Sequence, residues 1–482
     1  MTERCNYIRT TFSGISIALR ALQAQQKSLD VTGHNVANVN NSAYSRQSAV
    51  HSATKPYPTP MMGYTPSNGQ LGTGVEISQI VRMRDQFVET RLRQQNHSLS
   101  YWESLRDGLQ QVELFFNEPS ESGIHSALDQ LWDSLQDLSR DADLLSVREV
   151  VVQRAEVLVE AVRNTRQQLQ KLRSDLNTNI PVRVGEINYL AAQIADLNNQ
   201  IGKVSATGSH PNDLMDTRDA LLEELSKIVD IEVVQDHANM VGVTIGGASL
   251  VHRSTSYALD TMKTAGPGYD KMEVYWAATG TEVDFQSGEL AGMKRLRDHE
   301  VQDFIDTLDN WTREFAAEFN RIHGEGYDLE NNRGVDFFVF SNDDSEFAAL
   351  NIIVNPEIAK DPSKIAASST EDAVGNGENA LALARLRNTP PKNAEITIGE
   401  SFNAIISRLG VTTQKAIKMV ETDEVLAGHL VNLRESVSGV NLDEEMANMI
   451  RFQHAYNAAA RMMTAVDESL DVIINRLGIV GR

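Results

Sequence analysis

The chain of 482 residues is 41% hydrophobic, enough for roughly two to four folded domains. Its formal net charge of -22 argues against wrapping nucleic acid or adhering to an anionic membrane, because both need clustered Lys and Arg. The single cysteine, Cys5, excludes an intrachain disulfide framework; the sequence shows neither an apolar run of about eighteen residues nor a secretory leader pattern, so export would take another route.

Ile8, Phe12, Ile15, Leu19, Leu22, Gln26, Leu29 and Val36 fall largely on alternating steps of four and three, which predicts a helix with a coiled-coil seam. Asn38, Asn40, Asn41 and Ser42 favour turns and should end that helix near 36–38. His34, beside the turn, reads as a hydrogen-bonding helix-end residue, since the sequence places no acid or nucleophile with it. Pro56, Pro58, Pro60 and Pro66, interleaved with Gly63, Gly69, Gly72 and Gly74, make an extended linker, after which Val75, Ile77 and Ile80 alternate as a short strand.

From about Arg84 to Lys227 the pattern is helical, with breaks expected at 118–123, near Asp141, at Pro181 and around 208–211. Val151, Leu158, Val162, Leu169, Leu172 and Leu176 recur at helical spacing, and Pro181 should kink the continuation through Ile187, Leu190, Ile194 and Ile201. The character changes at Asp230, where Val233, Val241, Val243, Ile245, Leu250 and Val251, with Gly242, Gly246 and Gly247 between them, read as strands joined by tight turns. Residues 289–323 return to helix with Leu308, Trp311, Phe315 and Phe319 on one face, 324–373 mix short apolar runs with turns, and helices resume from Asn379 onward.

The last helix carries the other long stripe: Leu442, Met446, Met449, Gln453, Tyr456, Ala460, Met463, Asp467, Leu470, Ile474 and Leu477, all but two apolar. Asn441 should cap it, with Asp443, Glu444 and Glu445 against the positive end of the helix dipole. A seam of this length needs a partner helix; the plain alternative is that each terminal helix packs separately on a globular core. The methionines suit an adaptable interface, as they also suit an ordinary core.

The expected fold is mainly α with a smaller β-rich inserted domain, elongated and multi-domain, with the terminal helices forming a coiled-coil domain. Residues 1–60 with 437–482 would form that inner domain. Residues 61–229 with 286–325 and 376–436 would form a helical bundle, and 230–285, with 326–375 as an optional addition, a β-rich outer domain.

Candidate chemistry is sparse. The loop Asp328, Glu330, Asn332, Gly334 alternates oxygen ligands like a calcium loop, but its glycine is one position late and Val339 stands where the closing glutamate belongs. His210, Asp213, Asp216 and Asp219 are explained by Asn212 as helix cap and acids complementing the dipole. No catalytic, metal or cofactor residues are assigned.

Residues 33–47, GHNVANVNNSAYSRQ, resemble the N-terminal signature shared by bacterial flagellar rod, hook and hook-associated proteins, with Ala43 where glycine is usual. Residues 211–233, 326–338 and 436–456 are similar to blocks of the members at the junction of hook and filament. The resemblance implies a non-enzymatic structural adaptor joining hook to filament, assembled as a helical ring of copies on the extracellular flagellum and secreted by type III export without a cleaved signal peptide. Implied partners are further copies, the hook protein, a second junction protein or flagellin, and an export chaperone on the C-terminal helix. The implied assembly interface comprises Ile15, Leu19, Leu22, Leu29, Asn35, Val36, Asn38 and Tyr44 with Leu442, Met446, Met449, Tyr456, Met463, Leu470, Ile474 and Leu477. Alternatives are another axial protein such as a hook or distal rod component, a secreted hydrolase with a helical attachment domain, and a cytosolic coiled-coil scaffold. The missing catalytic constellation tells against the hydrolase, and the β insertion and Asn-rich turn tell against the scaffold.

Overall fold

A computed structural model describes residues 12–56, 72–118, 120, 123–236, 238–266, 269–341, 347–392 and 394–476. Ile8, Leu477 and most of the proline-rich stretch lie outside the described residues. Helix α1 (Ser13–Ala37) leads through the Asn-rich turn into strands β1 (Gln47–Ala53) and β2 (Val75–Arg82). These pair antiparallel from Gln47 opposite Arg82 to Ala53 opposite Val75. Helix α2 (Gln86–Phe116) starts where Asp85 accepts from the Phe87 and Val88 N–H groups, satisfying two donors that the first turn leaves free.

Helices α3 (Ile124–Arg140), α4 (Leu145–Ser205) and α5 (Asn212–Ile228) follow. With 61 residues, α4 is about 90 Å long. It runs unbroken through Pro181, so the break expected there does not occur. Ile180 and Val184 on either side are buried, and tertiary packing outweighs the roughly 3 kcal/mol that an interior proline costs a helix.

Strands β3 (Glu232–Gln235), β4 (Val241–Ile245), β5 (Ala248–His252) and β6 (Thr255–Ser256) form one antiparallel sheet in that order, and β7 (Leu259–Gly266) pairs with β8 (Tyr269–Trp276). Both sheets are docked on α4 by asparagines. The Asn188 amide donates to Leu259 O and accepts from Leu259 N, each at 2.8 Å; Asn198 donates to Val241 O and accepts from its N–H at 2.8 and 3.1 Å. Asn177 donates to Asp270 O at 2.9 Å and accepts from Met272 N at 2.7 Å. Each side chain thus supplies the donor and acceptor that a neighbouring strand would have supplied.

The chain then returns through α6 (Glu289–Arg295), a π-helical turn (Leu296–Glu300) and α7 (Val301–Glu325). Strand β9 (Phe338–Phe340), α8 (Ala348–Asn351), β10 (Ile352–Val354) and α9 (Pro356–Lys360) make a compact knob before α10 (Glu378–Arg385), α11 (Ile398–Ser438) and α12 (Leu442–Asp471).

Two hydrophobic cores result. The first joins α2, α3, the first half of α4, α7, α10 and α11 around Phe116, Trp132, Trp311, Phe315, Phe319 and Phe402. The second joins the second half of α4 with α5 and the strands, around Ile187, Ile194, Leu225, Val243 and Leu250. Phe337, Phe338, Ile352, Val354 and Ile358 belong to the first core. Segment 326–375 therefore packs with the helices, which corrects its optional grouping with the β-rich insert: its strand pair is short, and its aromatic rings pack tilted or edge-on against Phe315 and Phe319.

Candidate assembly interface

The signature after α1 is the meeting point of five segments. Asn35, buried in the last turns of α1, donates to Gln47 O at 2.9 Å and to Glu445 Oε2 at 3.0 Å. Its own oxygen accepts from Gln47 N at 3.0 Å and from the Tyr44 hydroxyl at 2.7 Å. Arg46 donates to Glu445 at 2.8 Å and lies 2.9 Å from Glu444, while its backbone N–H bonds Ser438 O. One asparagine and one arginine thereby tie α1, β1 and the start of α12 together. The Asn441 cap forms as expected, accepting from Asp443 N and Glu444 N. Glu445 lies in the first turn of α12 as expected, and is also buried at the centre of this network.

A second network binds the hairpin to the body. Asp216 accepts from Ser45 N at 3.0 Å, Ser45 Oγ at 2.7 Å and Arg82 at 2.7 Å. Asp219 accepts from Arg82 at 2.8 Å and Arg84 at 2.5 Å. Burial alone would raise the Asp219 carboxyl, but Arg84, Arg82 and Arg218 outweigh it and hold it below the usual carboxylate range. Burial and the carboxylates of Asp213, Asp216 and Glu445 push the Tyr44 phenol well above its ordinary value. The capping role expected of Asn212 is a correction: Pro211 occupies the cap position, and the Asn212 amide donates to Gln47 Oε1 and Ile80 O. His34 lies 3.4 Å from Asp213, with its ring edge-on to Tyr44. Ala43 is exposed and its φ is not positive, so the turn places no demand for glycine there.

Helices α1 and α12 pair antiparallel. At one end Asn35 meets Glu445; at the other a Cβ on Gly14 would stand 3.2 Å from Val466. On α1 the buried positions are Ala18, Ala24, Ser28, Val31, Thr32 and Asn35. On α12 the buried positions are Glu445, Ala459 and Leu470, and Phe452 stacks on His51. The apolar stripes lie about one residue round from this face. Leu19, Leu442, Met446, Tyr456 and Ile474 are exposed, at 46, 45, 54, 36 and 69%, and Ile15, Leu22, Leu29, Val36, Asn38, Tyr44, Met449 and Met463 are half-buried. Leu470 is buried within the chain. The two stripes are covered only in part within the chain, and the Asn35–Glu445–Arg46 bonds tie the two helices together at one end.

The Asp328 carboxylate accepts from the N–H groups of Glu330 and Asn332, each at 2.8 Å, as in a plain Asx turn. Among the described residues no group of three or more His, Cys, Asp or Glu is placed to hold a metal.

Residues 109–338 match the family model for the flagellar hook-associated protein FlgK helical domain, and residues 434–477 match that for the flagellar basal body rod FlgEFG protein C-terminal. Over 98% of its length the chain is 33% identical to flagellar hook-associated protein 1 of Bacillus subtilis (strain 168), all of which it covers. The chain belongs to the flagellar hook-associated protein 1 family. Flagellar hook-associated protein 1 of Salmonella typhimurium is 25% identical, covering 96% of this chain and 99% of that one. The structure of the flagellar hook junction protein FlgK from Burkholderia pseudomallei shares the fold at a TM-score of 0.63, with 16% identity, covering 72% of this chain and all of that one.

For a hook-associated protein 1 the signature thus acquires a physical meaning, since Asn35, Tyr44, Ser45, Arg46 and Gln47 together bond α1, α5 and α12 to the start of β1. Asp216, Asp219 and Glu445 were read only as acids at helix starts, and the roles of Arg82 and Arg84 escaped the sequence reading. Their one local signal is the pairing of Arg82-x-Arg84 at the end of a strand with acids at three-residue spacing on a helix, which becomes informative only when the two are known to touch.

Proposed function

We propose that this chain is the structural adaptor joining hook to filament at the hook-filament junction of the bacterial flagellum, outside the cell. The observation that carries the reading is end-to-end similarity to hook-associated protein 1, including both terminal helices and the 434–477 match to rod-type C-termini. The exposed stripes on α1 and α12 are the proposed contacts with further copies in a helical ring, with the hook protein on one side and a second junction protein or flagellin on the other. A chaperone covering the C-terminal helix before type III export, secretion without a cleaved signal peptide and the lack of any catalytic activity belong to the same proposal. Deleting the gene tests it: cells should build hooks and shed filament subunits into the medium, and normal attached filaments on the deletion strain would contradict the assignment.

A further inference from the structure

Two helices lose their regular hydrogen bonding at the same level of the molecule. Pro181 of α4 has no N–H to offer Asn177 O, four residues earlier. Across from it the chain between α6 and α7 forms the π-helical turn Leu296–Glu300, a local widening of the helix that often marks a functional irregularity. This level is also the boundary of the two cores, since Leu176 packs in the first and Ile180 in the second. Gly108 of α2 lies against the turn so closely that a Cβ there would stand 1.9 Å from Leu296 Cδ2.

One side chain joins these features. Arg297, on the π-helical turn, is fully buried. It donates to Asn177 Oδ1 at 2.9 Å, to Met272 O at 2.7 Å, to Glu273 at 3.0 Å and to Asp298 at 2.7 Å. Lys271 and Lys294 also pair with Glu273, at 2.6 and 2.8 Å. The residue whose carbonyl the proline frees is therefore the one whose amide receives the arginine and clamps β8. A helix with a missing bond and a helix with a misplaced one bend more readily than regular helices, and here a single buried guanidinium spans both.

We propose that this level is a latched flexure: the two cores are able to bend relative to each other about α2 and α11, the continuous side, and Arg297 holds them straight through Asn177. The device goes beyond the assignment to the hook-filament junction and does not depend on it, because it concerns the isolated chain. Held latched, it fixes the angle between the first core and the unit carrying the strands; released, it lets that angle vary.

Spin labels at Lys171→Cys and Asp196→Cys, both exposed on α4, in a Cys5→Ser background, measure it by pulsed dipolar spectroscopy. They stand about 38 Å apart along a straight helix. The expected result is one narrow distance distribution in the parent chain and one at least twice as broad in Arg297→Met and in Asn177→Ala. Asn177→Ala leaves the contacts of Arg297 with Glu273 and Asp298 in place and decides the matter if Arg297→Met does not fold. Adding Pro181→Ala to Asn177→Ala should narrow the distribution again. A broad distribution in the parent chain, the parent distribution retained in folded Asn177→Ala, or no narrowing on removing the proline would each overturn the proposal.

Discussion

The helical body and the terminal helix pair are built from similar-looking amphipathic stripes and use them in opposite ways. In the body the stripe is spent inside the chain: Leu308, Trp311, Phe315 and Phe319 of α7 are all buried against α3, α4 and α11. In the terminal pair the buried face is mostly small and polar, held by Asn35, Arg46 and Glu445, and Leu19, Leu442, Met446 and Ile474 of the stripes face outward while Leu470 is buried. An apolar stripe therefore predicts that something will cover it, and leaves open whether the cover comes from the same chain.

The largest effect expected from a single change lies in the body. Trp311→Ala removes a buried ring stacked on Phe315 and leaves Ile398 O without its donor at 3.1 Å, which should cost about 3–5 kcal/mol. Denaturant unfolding of the isolated chain measures this, and a loss under about 1 kcal/mol would remove the contrast with the terminal pair.

Next comes acid. His323 is buried with Nε2 accepting from Ala366 N at 2.9 Å and Nδ1 2.6 Å from Val335 O, an arrangement that fits the neutral ring with its proton on Nδ1. Burial pushes its pKa down to about 4, below the unfolded value near 6.5. A depressed folded pKa gives stability that is present above pH 6.5 and lost as pH falls towards 4, at most about 3 kcal/mol. His97, also lowered to about 4 by burial, acts in the same direction. Asp230, raised to about 6 by burial, acts oppositely: its contribution is full below its unfolded pKa and lost as pH rises through 6. Two histidines against one aspartate predict that the body loses stability between pH 6.5 and 4, and that His323→Gln flattens that slope. An unchanged slope in a folded variant would count against the histidine as its source.

Glu445→Ala sharpens the comparison at the joint. It strips Arg46 and Asn35 of their shared acceptor, but Arg46 is 23% exposed, so the cost should be on the order of 2 kcal/mol, below that of breaking a fully buried pair. Amide exchange should rise in β1 and the first turns of α12 while α7 keeps its protection. Ala43→Gly is smaller still: without positive φ the added freedom of the unfolded chain should destabilise by less than about 1 kcal/mol. A gain in stability would mean that the turn prefers the left-handed conformation.

Much of the body was legible because its periodicity and its packing agree. Helical spacing from Val151 to Leu176 and the change to alternating residues at Asp230 both correspond to elements in place. Pro181 misled because local propensity yields to burial on both sides. The asparagine clamps at 177, 188 and 198 were unreadable because a polar residue on a helix ordinarily faces water, and only the approach of a strand gives the amide its role. The terminal stripes were visible as patterns, yet apart from Val31 the buried positions of α1 are Ala, Ser, Thr and Asn, residues that the hydrophobic stripe passes over. The links of Ser45 and Arg82 to Asp216 join positions far apart in sequence, where no local pattern can announce them.

The most direct measurement of the division between a self-sufficient body and an unfinished terminal pair is the triple variant Leu19→Ser, Met446→Ser, Ile474→Ser, made at outward positions that are 46, 54 and 69% exposed. It should be purified for unfolding and also used to complement the deletion strain. Exposed substitutions should leave the unfolding free energy of the isolated chain within about 0.5 kcal/mol per site, while attached filaments are lost from the cells. Retained filaments, or a body that unfolds several kcal/mol sooner, would contradict the account.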